Sequence, residues 1–426
     1  MINKTLNNIF KGDKVVWMVF FFLCIISIIE VYSASSQLTY KAGNYATPIL
    51  KHIGLLAVGV FFTVVTLNIP CRYFRILPLP LLGFALFSLI AVYIVGSSTN
   101  DAQRWFSIMG IQFQPSEVAK GALVIATAQI LSTLQTEEGA DKSAFKYILT
   151  VCVGIIPLIA PENLSTAALL SLVILMMMFI GRVPMRQLGI LLMVVAIFIT
   201  IVVAMVMMFG HDNAQDTANS KMVETTEQVD KSKKESGFVG KTLHRLDTWK
   251  SRIDKFLDPK EVAPRDVDLD KDAQVAHANI AIASSNVVGK GPGNSDERDF
   301  MSQAFSDFIY AIIIEEMGVE GAFFVAMLYI ILLFRAGRIA NRCENNFPAL
   351  LAMGLALLLV TQALFNMMVA VGLAPVTGQP LPLISKGGTS SIINCIYIGM
   401  ILSISRSAQR KGEDAPKAEA AQTVTA

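Results

Sequence analysis

Long uncharged apolar runs constrain this chain more than any other feature. Ten are read as membrane-crossing helices: Val15–Tyr32, Pro48–Ile69, Ile76–Gly96, Pro115–Leu134, Tyr147–Ala160, Thr166–Gly181, Leu188–Gly210, Asp307–Phe334, Pro348–Leu373 and Thr389–Ile404. A spanning helix needs about 20 apolar residues, and in hydrocarbon only helices or closed barrels satisfy their own backbone. The expectation is an all-α polytopic membrane protein with ten transmembrane helices. Composition agrees: the chain is 54% hydrophobic and 16% charged, against about a quarter charged in soluble domains. The fifth and sixth runs are short and flank Pro161-Glu162-Asn163-Leu164-Ser165, so they are either two spans or one broken pair around a polar turn. The first run is too long for a signal-peptide core and reads as a retained helix.

Charge placement gives the sidedness. Arg72 and Arg75, Arg182 and Arg186, and Arg335, Arg338 and Arg342 fall on one side of an even-span layout. Lys4, Lys11 and Lys14 join them at the start, and Arg406, Arg410 and Lys411 at the end. By the positive-inside rule that side is cytoplasmic, and so are both termini. Residues 1–405 then form one transmembrane domain and 406–426 a disordered cytoplasmic tail. The long segment His211–Ser306, between helices 7 and 8, lies outside. Its polar part from His211 to Gly240 reads as weakly ordered. Leu246, Trp249, Ile253 and Phe256 then recur at helical spacing, as in a helix at the membrane boundary or an ordinary surface helix.

A net charge of +2 gives no bulk attraction for nucleic acid. The five cysteines stand singly, as buried thiols do, and the four histidines lack zinc spacing.

Four polar clusters fall on the outer side. Arg104 precedes Gln114-Pro115-Ser116-Glu117, where proline opens a helix without losing a needed N–H. Glu117 and Lys120 lie three apart and can pair, either as a structural ion pair or as the wall of a polar cavity. Glu162-Asn163 suits a helix cap. Gly289, Gly291 and Gly293 flank Lys290 and Pro292 in a turn that can expose amides to an anion. A proline-braced loop ends at Lys386, Gly387, Gly388, Thr389 and Ser390, where Lys386 can hold a phosphate at a helix start. Asp307 differs in kind. With Ser306 as N-cap, it is expected in the first turn of the eighth span, where the helix dipole favours a carboxylate and burial opposes it. Glu315 and Glu316 lie further along the same span, where ionisable groups are costly and mark function.

These stretches resemble the SEDS family of shape, elongation, division and sporulation proteins. The motifs are RWF…QPSEVAK at 104–120, PENLST at 161–166, AIASSNVVGKGPGNS at 281–295, SDFIYAIIIEEMGVEGA at 306–322 and GLAPVTGQPLPLISKGGTSS at 372–391. GKGPGNS and Ser306 resemble the division branch more than the elongation branch. The resemblance implies a glycosyltransferase that polymerises lipid II in the bacterial inner membrane at the division septum. It implies a class B penicillin-binding protein and other divisome membrane proteins as partners. Asp307 matches the family's essential acid, and Glu117 and Lys120 match its QPSE glutamate and following lysine. Arg104, Glu117, Lys120, Lys386 and Ser390 are candidates to bind substrate or pyrophosphate, with Gly289, Gly291, Gly293 and Ser306 supporting the site. No tightly bound cofactor is expected; a divalent cation, Mg or Mn, is a candidate helper with no assigned ligands. Phe305, Lys386 and the acid position in PENLST depart from the family pattern. A lipid transporter, an elongation polymerase and a recruiting scaffold are the alternatives.

Overall fold

The structure is a computed structural model that describes residues 11–34, 46–95, 97–99, 102–108, 111–161, 163–209, 269–301 and 304–423. Each expected span falls on a helix: α1 Lys14–Ala34, α2 Ala46–Asn68, α3 Pro78–Val95, α4 Pro115–Thr133, α5 Lys142–Ile159, α6 Leu164–Ile180 and α7 Met185–Phe209. After α8, Leu269–Ser284, come α9 Ile309–Asn341, α10 Asn346–Ala370 and α11 Gly388–Thr423. Among the described residues, six segments are long and apolar enough to cross a membrane by length and composition: α1, α5, α9, α10, Ile49–Asn68 of α2 and Gly388–Ala408 of α11. Shorter apolar stretches lie in α3, α6 and α7.

Two compact units make up the chain. Residues 186–268 and 374–376 form one, of which α7 is the described helix. The other contains the remaining helices, and α4 runs through its interior. Packed against α3 and α10, α4 buries Glu117 and Lys120 along with Ala119, Ala122 and Leu123. Ionisable groups in a membrane helix turn to the bundle interior because lipid cannot solvate them.

The expected loop Ser97–Gln114 contains a small antiparallel meander, β1 Ser97–Thr99, β2 Ala102–Ile108 and β3 Ile111–Phe113. Phe106 opposes Phe113 in the β2–β3 register. Aromatic and β-branched residues favour such pairing. Phe113 also meets the Phe84 ring of α3 edge-on at 6.1 Å, fastening the meander to the bundle.

The eighth span corrects the reading of one straight helix from Asp307. α9 breaks at Gly318, whose φ of 70° and ψ of −175° are outside helical space. The Tyr310 hydroxyl donates to the Ala322 carbonyl at 3.1 Å, twelve residues on. Twelve straight helical residues rise about 18 Å, beyond a tyrosine's reach, so 309–317 folds back on the helix beyond Gly318. The break leaves carbonyls unpaired, and the glycine loop takes them. Lys290 N donates to Glu315 O at 3.0 Å, and Gly291 N to Glu316 O at 2.8 Å. A Cβ on Gly318 would collide with Val287 O, so only glycine permits this contact.

Beyond Ile404, α11 continues to Thr423 through a stretch rich in Ala, Glu, Lys and Gln, all strong helix formers, and also containing Gly412 and Pro416. Glu162, the polar insertion 211–240 and the boundary helix at 243–256 lie outside the described residues.

Candidate active site

Asp307 sits in a turn ahead of α9, not in its first turn. The N-cap is Phe308, without a side-chain cap bond. Ser306 donates its hydroxyl to Asp307 Oδ1 at 2.9 Å instead of capping the helix. The cause is tertiary. The carbonyls of 305, 306 and 307 are taken by Lys386 N at 3.0 Å, Ser385 Oγ at 2.6 Å and Asn366 Nδ2 at 2.9 Å. Helical pairing starts only after them. Facing Asp307 is Gly378, at a φ of 69°. A Cβ there would lie 3.4 Å from Asp307 Oδ2, so glycine keeps this side of the carboxylate open.

A buried polar network spreads from this turn. Asn366 Nδ2 also donates to Gln379 O at 2.7 Å. Gln379 Nε2 reaches Thr166 Oγ1 at 2.5 Å and Asn163 Oδ1 at 3.3 Å, and Asn163 caps α6 through Thr166 N at 3.1 Å. The polar turn between the short spans thus supplies a cap that also anchors the 377–386 loop. Four residues before Asn366, Gln362 holds Pro380 O at 3.0 Å and accepts from Lys120 Nζ at 2.7 Å. Lys120 pairs with Glu117 at 2.8 Å, and Tyr397 OH donates to Glu117 O at 2.9 Å. At 1% and 2% exposure, Lys120 and Glu117 are shielded from solvent. Three acceptors in the network remain without a partner among the described residues: Glu117 Oε2, Asn366 Oδ1 and Thr377 Oγ1. The Asn366 amide orientation is fixed, because both its neighbours are carbonyls and only the NH₂ end can face them.

Lys386 stands beside the same turn. Its ammonium lies over the Phe305 ring at 5.3 Å. Burial, then the charge of Lys51, pulls its pKa below the usual lysine value, so an anion nearby would favour its charged form. Ser390 is buried in the first turn of α11. Arg104 lies in β2, with its side chain outside the described part.

Gly289, Gly291 and Gly293 aim their loop at α9. Gly293 N and Ser295 N donate to Glu316 at 2.9 and 3.3 Å, and Asp296 N donates to Glu315 at 3.0 Å. Lys290 Nζ joins Glu315 at 2.7 Å, while Ser33 and Ser295 add hydroxyl donors to Glu316 and Glu315. The amides read as an anion cradle thus hold the protein's own carboxylates. Among the described residues, no group of three or more His, Cys, Asp or Glu is placed to hold a metal.

Gln362, Asn366, Gln379 and Ser385 carry much of this network; Gln379 and Ser385 fall within the 372–391 motif without being singled out, and Gln362 and Asn366 lie outside every motif. A signal existed for the last two: Gln362 and Asn366 are amides four apart on one face of an otherwise apolar run.

"Probable peptidoglycan glycosyltransferase FtsW" of Geobacter sulfurreducens is 28% identical over 409 residues, covering 95% of this chain and 98% of its own. "Peptidoglycan glycosyltransferase MrdB" of Escherichia coli K12 is 27% identical over 394 residues, 92% of this chain and 93% of its own. Thermus thermophilus RodA shares the fold at a TM-score of 0.61 and 20% identity, over 94% of this chain and 99% of that one. A chain from a structure of a peptidoglycan synthase complex that coordinates polymerization and crosslinking aligns at a TM-score of 0.67 and 22% identity, covering 93% and 98%. The model of the FtsW, RodA and SpoVE family, described as "Cell cycle protein", matches residues 13–410, and with nearly the whole chain matched, this protein belongs to that family.

Proposed function

We propose that the protein is a peptidoglycan glycosyltransferase that polymerises lipid II, with Asp307 as the catalytic base. The observation that carries this is the setting of Asp307. Its main chain is pinned from two elements, its carboxylate faces Gly378, and unpaired acceptors stand in the network around it. Such acceptors suit the hydroxyl donors of a sugar, since buried polar atoms seek partners.

In the reaction, Asp307 takes the proton of the acceptor sugar's 4-hydroxyl as that oxygen attacks the donor's anomeric carbon. The bond to undecaprenyl diphosphate breaks, and the configuration inverts in a single displacement. General base catalysis supplies about 10²–10⁴-fold. The remainder comes from holding two large lipids in register and from cations near the departing diphosphate. Lys386 fits that charge role best, being half-buried with no carboxylate paired to it among the described residues. Lys120, fully buried on Glu117 and Gln362, shapes the wall; Arg104 and Ser390 complete the candidate set.

The setting is the bacterial inner membrane with ten spans and both termini inside, the arginine-bearing connections facing the cytoplasm. A role in septal synthesis accords with the division-like motifs, and a class B penicillin-binding protein is the partner such a polymerase needs. Relatives carry both division and elongation names, so cellular localisation must separate these roles. Transport has less support, because Glu315 and Glu316 are fully buried with donors on every carboxylate oxygen.

The test is purified protein with lipid II in detergent, resolved on a gel for glycan strands. Strands from wild type and none from Asp307→Asn support the reading. Near-normal polymerisation by that variant, or headgroup translocation without strands, overturns it.

A further inference from the structure

The end of the bundle remote from Asp307 holds a cavity of about 400 Å³. Three connections meet there: the 3₁₀ turn Cys71–Arg75, the α9–α10 link and the stretch of α11 from Ile404. Arg72, Arg75 and Arg342 line it, and Glu344 is the one carboxylate in its wall. None of the three arginines has an ion pair among the described residues. Arg75 is stacked over the Phe347 ring at 5.5 Å, and Arg72 over Tyr73 at 5.0 Å. Stacking orders a guanidinium while leaving donors available; Arg72 spends one on the Tyr73 hydroxyl at 3.2 Å. The cysteine thiols in the wall add no negative charge: burial pushes Cys71 up to about 12 and Cys343 up to about 11. The cavity is therefore a built, net positive site.

Its walls are mixed. Phe347 and Ile404 give apolar surface beside the guanidinium groups. The cavity lies beside the end of α2 and the α9–α10 link, which the ten-span reading puts on the cytoplasmic side at headgroup level. Arginine forks match phosphate oxygens, and basic pockets between membrane helices on the cytoplasmic side accept anionic headgroups. We infer that this cavity binds the phosphodiester of an anionic phospholipid, held by Arg72, Arg75 and Arg342 with its glycerol against Phe347 and Ile404. The site is separate from Asp307, so its test does not depend on the polymerase reading.

The experiment uses the full chain in nanodiscs of phosphatidylcholine with a minor fraction of phosphatidylglycerol, released gently and weighed with its retained lipid. Wild type is expected to keep phosphatidylglycerol over phosphatidylcholine. All three arginines are solvent-exposed, so glutamine substitutions should leave folding intact. Each of Arg72→Gln, Arg75→Gln and Arg342→Gln should weaken retention about fivefold, as expected for one basic residue at an anionic surface. Arg342→Lys should retain most of it. Equal retention of the two lipids by wild type, or undiminished retention by the triple glutamine variant, overturns the site. Displacement of the lipid by millimolar inorganic phosphate overturns the lipid assignment and leaves a soluble phosphate as the ligand.

Discussion

Asn366 donates its side-chain amide to the carbonyl of Asp307 at 2.9 Å and to that of Gln379 at 2.7 Å. One side chain of α10 thus sets the distance between the turn bearing the carboxylate and the loop facing it. Replacing Asn366 with Ala leaves one buried and one part-buried carbonyl without this donor, at a cost of about 1–3 kcal/mol for the buried one. The expected outcome is a lower melting temperature together with a fall in kcat that exceeds any rise in KM. Misplacement of a base by about 1 Å costs on the order of 100-fold. An unchanged kcat in a destabilised protein would show that Asn366 serves the fold alone.

Asp307 itself is expected to be indispensable. Asp307→Ala and Asp307→Asn should reduce glycan polymerisation by about 10²–10⁴-fold. The melting temperature should hold, since the turn is pinned through the main-chain carbonyls of Ser306 and Asp307, which neither substitution alters.

Glu117 and Lys120 are a fully buried pair. Removing one partner strands the other charge, so Lys120→Met should cost about 3–5 kcal/mol. The double change Glu117→Gln with Lys120→Met should recover much of that stability. Polymerisation by the double variant then separates the two readings of the pair: activity marks it as structural, and a stable inactive protein marks it as part of the substrate cavity.

Gly318→Ala should prevent the fold-back of α9. The new Cβ would run into Val287 O in a backbone conformation that only glycine adopts freely. Little monodisperse protein is expected on size exclusion. Gly337→Ala is the control: its Cβ would meet nothing closer than Met353 at 3.6 Å, and alanine favours the helix.

The glycine loop should loosen at both pH extremes. A hydrogen bond from Lys290 and its charge hold Asp296 below the ordinary 3.8, and the bonds Lys290 donates to Asp296 and Glu315 hold it above 10.5. The depressed acid contributes above 3.8 and is lost as pH falls through its folded value. The raised lysine contributes below 10.5 and is lost as pH rises through its folded value. Amide exchange of residues 289–296 should therefore be slowest between these limits, and Asp296→Asn should abolish the acid-side change and reduce the base-side one, which Glu315 then sustains alone.

The helices were legible because their cause is local. An apolar run of membrane length has few other fates, and the Pro115, Asn163 and Gly388 boundaries are written in neighbouring residues. The motifs also marked Asp307, Lys120 and Lys386. The site's assembly was not legible. Lys120 meets Gln362 across 242 positions, and Asn366 meets Asp307 across 59, separations over which no periodicity carries information. The same holds for the break at Gly318. Its sequence reads as continuous apolar helix, and only the arrival of Val287 and the Gly289–Ser295 loop makes the folded-back path better than a straight one. Sequence alone decided that this chain crosses a membrane and which acids are conspicuous; tertiary contacts decided where those acids point, because a polar group buried away from water adopts whichever position brings it a partner.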